Sequence, residues 1–130
     1  MAATFLSPLV DRPAARLAIR NTRTGRIMAN RLLPAFDSQT RRTGLLKHTS
    51  LKDGEAMVIA PTSAVHTWFM KFDIDVAFVA RDGRVLKASD TVRPWRMMAA
   101  FGGFAVIEMK AGSLAATGTA RGDVLEIVEL

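Results

Sequence analysis

Two carboxylates and one imidazole sit in stretches of this chain that otherwise read as apolar core. Asp75 lies between Ile74 and Val76, and Ala77 and Val79 share its face if the segment is extended. Glu108 repeats the pattern between Ile107 and Met109. An ionised carboxylate buried without a partner costs several kcal/mol, so each acid needs a cation, a set of hydrogen-bond donors or a proton. Two such acids on central strands could form an acid–base pair or bind a hard cation. They could equally each pair with an arginine, such as Arg41, Arg42, Arg93 or Arg96. His66 and Thr67 stand in a similarly apolar context just before this region. His66 reads either as a general base or ligand, or as a packed histidine whose ring nitrogens bond to backbone groups. Trp68, Phe69, Met70 and Trp95 could line an apolar pocket for a small ligand, or simply fill the core.

The candidate catalytic residues are therefore His66, Asp75 and Glu108. The candidate ligand-binding residues are His66, Thr67, Trp68, Met70, Asp75 and Trp95. No metal site and no cofactor is expected. The chain has no cysteine and two histidines, which removes thiol nucleophiles, zinc–thiolate sites, iron–sulfur clusters and three-histidine metal sites. It contains no phosphate-binding glycine loop with its lysine, no dinucleotide fingerprint, no nucleophile-elbow serine and no paired-histidine zinc helix.

The elements that must position these residues are mostly strands. Residues 72–80 and 84–88 flank Arg81-Asp82-Gly83, a hairpin signal because Asp-Gly tolerates positive φ. Strands are also expected at 16–20, 26–33, 55–60, 104–109 and 124–128, with 91–103 a loop around Pro94 and Trp95. Ser38 caps an expected helix over 39–48 with Gly44 inside it, and Ser113 caps a helical turn ending at Gly118. Short links between successive strands favour a mainly β fold, an antiparallel sheet of six to seven strands curled toward a barrel, with two short helices.

Length and composition set the frame. At 130 residues, 49% hydrophobic and 23% charged, the chain is expected to form one globular domain over residues 14–130, preceded by a loosely held arm, 1–13. No apolar run approaches the ~20 residues needed to span a bilayer. The apolar stretch 2–10 has no basic residue before it and Arg12 after it, the wrong order for a signal peptide, so a cytoplasmic location is expected. Residues 1–52 hold ten Lys/Arg against two acids, whereas residues 53–130 hold eight against ten. That asymmetry suggests an anion-attracting face, but no aromatics interleave with the arginines as nucleic-acid stacking would need, so nucleic acid is disfavoured as a partner.

Four segments in order, Arg42-Thr43-Gly44-Leu45-Leu46, His66-Thr67-Trp68-Phe69-Met70 with Ile74-Asp75, Ile107-Glu108-Met109-Lys110-Ala111-Gly112, and Gly122-Asp123, give the chain a family resemblance. Over about residues 40–128 it resembles the domain of unknown function family 192 of bacteria and archaea. The resemblance implies a small β-rich fold with typical positions at Gly44, His66, Trp68, Met70, Asp75, Glu108, Gly112 and Asp123. It implies no activity.

The expectation from the residues is a non-enzymatic domain that binds a small molecule or a partner at a polar site around His66 and Asp75, beside Trp68 and Met70. The alternatives are a hydrolase-type enzyme using Asp75 or Glu108 with His66, and an anion or nucleic-acid interaction module using the basic N-terminal half.

Overall fold

The computed structural model describes residues 3–12 and 15–130. Along them run α1 (Ser7–Asp11), β1 (Leu17–Asn21), β2 (Ile27–Ala29), β3 (Arg31–Ala35), α2 (Ser38–Thr43), β4 (Glu55–Ile59), β5 (Ala64–His66), β6 (Ile74–Val79), β7 (Val85–Val92), β8 (Met97–Ala99), β9 (Ala105–Lys110), α3 (Ser113–Thr117) and β10 (Leu125–Glu129). The strands form three sheets, in the orders β10-β1-β2, β3-β4-β9-β6-β7 and β5-β8. Pairing is antiparallel except between β3 and β4.

The five-stranded sheet is the centre of the molecule because its inner strands are apolar on both sides. Every residue of β6 is buried, as are all but the last of β9. Such strands are stable only where both faces are covered. One face, with Val58, Ala77, Val79, Ile107 and Met109, packs against the three-stranded sheet, α1 and α3. The other, with Met57, Ile59, Val76, Phe78 and Val106, packs against Leu45, Leu51 and Met70 from the connecting segments.

The fold is mainly β, as expected, but it is not one curled sheet of six to seven strands with two helices. Among the described residues there are three helices and three sheets, and no sheet is closed or strongly curled. The physical reason lies at Asn30, where the single strand expected over 26–33 divides. The amides of Asn30 and Arg31 both donate to the Gly54 carbonyl, β2 stays with the three-stranded sheet, and β3 crosses to the five-stranded one. A chain that changes sheets there builds two stacked layers instead of a continuous wall.

Three further expectations are corrected. The helix over 39–48 stops at Thr43, because Gly44 turns to φ 48° and its N–H closes onto the Thr40 carbonyl; Asp37, not Ser38, accepts the capping bond from Thr40 N at 2.8 Å. The loop expected over 91–103 contains β8, and residues 64–66, where no strand was expected, are its partner strand. Within the expected arm, residues 7–11 are helical, and Leu6 and Leu9 are buried in the core. Met1, Ala2, Pro13 and Ala14 lie outside the described residues. Among the described residues no helix is long and apolar enough to cross a membrane.

The Asp82-Gly83 turn forms where the residue types place it. Gly83 has φ 91°, and a Cβ there would stand 2.2 Å from the Leu125 carbonyl oxygen. Gly83→Ala is therefore expected to destabilise the protein by at least about 2 kcal/mol, through combined backbone strain and steric overlap. Urea denaturation reads this as a lower midpoint at unchanged slope; a midpoint equal to wild type would contradict the close approach of the turn to β10.

Candidate functional site

Asp75 and Glu108 belong to neighbouring strands but to opposite faces. In the β6–β9 register Asp75 is opposite Met109 and Val76 is opposite Glu108. Since side chains alternate along a strand, Asp75 points to the face that carries Ala77 and Val79, and Glu108 to the face that carries Val106. The two carboxylates cannot act as a pair. Among the described residues neither forms an ion pair with an arginine.

Asp75 is fully buried and satisfied by backbone. Its Oδ1 accepts from Thr91 N at 2.9 Å, and its Oδ2 accepts from Gly112 N at 3.1 Å and Leu114 N at 2.9 Å. The last of these is a first-turn amide of α3, a helix whose own N-cap, Gly112, has no side chain to supply the bond. A strand carboxylate therefore caps the helix in place of the usual Ser, Thr, Asp or Asn. The expected grouping of Asp75 with His66, Trp68 and Met70 does not occur, because donors on the opposite face claim the carboxylate.

Glu108 has a different environment. It is 5% exposed, and its register partners on either side are Met57 and Val76. Burial alone raises its carboxyl from 4.5 to about 7, with no hydrogen bond or charge to offset it. It forms part of the lining of a cavity of about 400 Å³. One wall is the end of α2 and the turn after it, with Arg41, Arg42, Gly44, Leu45 and Leu46; the other is β5 with His66, together with Thr62 and Met70. Arg41 donates from Nη1 to the Phe36 carbonyl at 2.6 Å, which fixes its guanidinium on the α2 side.

The remaining candidates separate. His66 is exposed, and its ring stacks on Trp68 with centroids 4.7 Å apart. The Thr67 hydroxyl is occupied, donating to Arg93 O at 2.7 Å and accepting from Arg96 N at 2.9 Å. Trp95 lies outside the cavity lining and meets Phe69 edge-on at 4.7 Å. Of the candidates, His66, Met70 and Glu108 are brought together, Trp68 stacks on His66 outside the cavity lining, and Thr67, Asp75 and Trp95 are not part of the group. Sequence reasoning did not assign Arg41, Arg42, Leu45 and Leu46 to this cavity. The available signals were the basic run at 41–42 directly before the glycine that ends the helix, and the place of residues 42–46 among the segments that carry the family resemblance.

The basic N-terminal half is partly neutralised by acids from the other end of the chain. Arg12 pairs with Glu129, Arg20 with Glu126, and Arg23 with Asp123. The hydrogen bond from Arg23, with further ones from Asn21 and the Ala120 amide, holds the Asp123 carboxyl far below the usual carboxylate range against the opposing effect of desolvation. Among the described residues no cluster of three or more His, Cys, Asp or Glu is arranged to hold a metal ion.

A family model described as DUF192, Uncharacterized ACR, matches residues 19–127. The chain belongs to this family. The resemblance seen in the ordered motifs is thereby established, and four of the positions it singled out, Gly44, His66, Met70 and Glu108, line the one cavity. Two solved structures share the DUF192 chain's fold. A protein of unknown function from Novosphingobium aromaticivorans DSM 12444 is 25% identical with a TM-score of 0.73, over 85% of this chain and 82% of that one. A candidate transcription regulator from Sinorhizobium meliloti 1021 is 20% identical with a TM-score of 0.74, over 86% of this chain and 92% of that one. No curated protein matches the chain.

Two outcomes follow from the contrast between the acids. Asp75→Ala strands three backbone amides and is expected to lower stability by about 4 kcal/mol, with faster hydrogen exchange at the Leu114 amide; protection unchanged there would contradict the capping role. Glu108 holds its proton more tightly folded than unfolded, so it lowers stability as pH rises from 4.5 to about 7 and adds nothing further above that. Glu108→Gln is expected to match wild type near pH 4 and exceed it near pH 8, by about 3 kcal/mol. Denaturation at both pH values tests this, and an identical difference at the two would show that Glu108 is not the titrating group.

Proposed function

We propose that this DUF192 chain is a non-enzymatic binding domain for a small molecule, seated over Glu108 between the end of α2 and β5. The observation that carries the reading is a nearly buried carboxyl facing a cavity of about 400 Å³ with nothing bonded to offset its burial. Keeping such a group weakens the fold, and residues that break a packing rule in this way concentrate at functional sites. A ligand with a hydrogen-bond donor would supply the missing partner. Arg41 and Arg42 on one wall and His66 on the other favour an acceptor or anionic group elsewhere on the same ligand. The volume falls within the range of about 300–1,000 Å³ found for small-molecule sites.

A second reading, a hydrolase using Glu108 and His66 as acid and base, is favoured by their position on one cavity and by an acidity near 7. Binding is preferred because the threonine hydroxyl on the His66 side, that of Thr62, is engaged with the Ala64 carbonyl at 2.8 Å rather than with a base.

Thermal-shift measurements with amino acids, amines, hydroxy acids and sugar phosphates test the proposal. At a hundredfold excess over Kd a true ligand stabilises wild type by about 2.7 kcal/mol. The gain is expected to vanish in Glu108→Ala and to shrink in Arg42→Ala. If no compound in these classes stabilises wild type more than Glu108→Ala, the binding reading fails. Turnover of an ester or amide that is lost in both Glu108→Gln and His66→Gln would replace it with the hydrolytic one.

A further inference from the structure

The β5–β8 ribbon carries a second feature, separate from the cavity. Trp68, Phe69, Trp95 and Met97 are exposed by 40%, 67%, 58% and 67%, a concentration of large apolar side chains in two short segments, 67–71 and 93–97. The segments are fastened together. Thr67 N donates to Arg96 O at 2.8 Å and Trp95 N donates to Thr67 O at 3.1 Å, while the Thr67 hydroxyl bridges Arg93 and Arg96 and His66 pairs with Met97. Phe69 and Trp95 both occupy the left-handed region, at φ 65° and 68°, which is unfavourable for an L side chain. The edge-on contact of the two rings offsets part of this strain, and strained positions that leave large apolar rings facing solvent concentrate at functional sites.

The charge carried by the two segments is of one sign. Lys71, Arg93 and Arg96 are exposed in the two segments, which contain no acid; Asp73 and Asp90, the nearest in sequence, lie beyond them. A second copy of the chain is a poor occupant, because a symmetric contact would oppose like charges. An acidic protein would be expected to engage a recess, yet the four apolar residues line neither the cavity over Glu108 nor the clefts around Arg81, Lys52, Arg121 and Phe101. A lipid surface needs no recess, and amphipathic Trp rings with flanking Lys and Arg suit its headgroup layer.

We infer that segments 67–71 and 93–97 form a docking face for anionic phospholipid bilayers, with Trp68, Phe69, Trp95 and Met97 entering the headgroup region and Lys71, Arg93 and Arg96 meeting the lipid charge. This inference does not depend on the cavity having a ligand.

The only tryptophans of the chain are the two in this face, so intrinsic fluorescence reports on it directly. The full chain is mixed with vesicles of phosphatidylcholine alone or of equimolar phosphatidylcholine and phosphatidylglycerol. Sedimentation with the anionic vesicles, a blue-shifted emission and quenching by brominated lipid are expected, with binding weakening as salt rises. Phe69→Asn with Trp95→Asn removes both rings while keeping a residue type that tolerates positive φ, so the fold is retained; vesicle affinity should fall by about tenfold or more. Arg93→Gln with Arg96→Gln should lower it about twenty-fivefold, at about fivefold per cation. Arg20→Gln with Arg26→Gln, on β1 and the turn before β2, should leave it unchanged. The inference is overturned if the chain stays in the supernatant with both vesicle types. It is equally overturned if the Arg20/Arg26 variant loses as much affinity as the Arg93/Arg96 one. Retention by polyglutamate without vesicle binding, dependent on Phe69 and Trp95, would assign the face to an acidic protein instead.

Discussion

The carboxylate of Asp75 is the constraint around which the rest of the structure is arranged. It gathers amides from two separate segments, the end of β7 at Thr91 and the start of α3 at Gly112 and Leu114, onto the central strand β6. Its charge is met by N–H dipoles, with no ion pair among the described residues, the arrangement that best stabilises a buried carboxylate without importing a second charge. Helix α3 depends on it, since a five-residue helix with glycine at its N-cap has little stability of its own. Once α3 is held there, Leu114 enters the core between the two larger sheets.

Fixing Asp75 to that face also determines where Glu108 must go. The β6–β9 register puts the two acids one residue out of step, so the alternation of a β-strand sends them apart. The Asp75 side is closed by hydrogen bonds. On the other side Glu108 has apolar neighbours, and the cover over it is incomplete, leaving the cavity beneath α2 and β5. Two carboxylates in nearly identical sequence contexts thus reach opposite ends of the range: one satisfied and structural, the other bare and adjustable by protonation.

Much of this was legible in the residues. The alternating and doubly apolar stretches marked the central strands, Asp82-Gly83 marked the hairpin, and mid-strand acids marked positions that had to be exceptional. The parity of Glu108 against Ile107 and Met109 even gave its face relative to its own strand. What could not be read was pairing between strands far apart in sequence, and therefore whether Asp75 and Glu108 faced one another. The parallel β3–β4 pair and the division at Asn30 were hidden for the same reason, because both depend on contacts with Gly54 and β4 that lie more than twenty residues away. Thr67 was singled out correctly as a polar residue in an awkward place, but its role is to clasp two loops, and its partners are backbone atoms that carry no sequence signal.

That clasp links the two features of the molecule that face outward. Thr67 follows His66, which lines the cavity, and precedes Trp68, whose ring stacks on the imidazole. The same threonine fastens the segment that displays Trp95. Thr67 thus connects the aromatic segments to β5, which forms part of one wall of the cavity around Glu108. The opposite wall includes Arg41, whose Nη1 donates to the Phe36 carbonyl at 2.6 Å and to the Ala60 carbonyl at 3.5 Å. The cavity therefore has one wall anchored to the body of the fold and one carried by the β5–β8 ribbon, on the same short stretch of backbone that leads into the exposed aromatic segments.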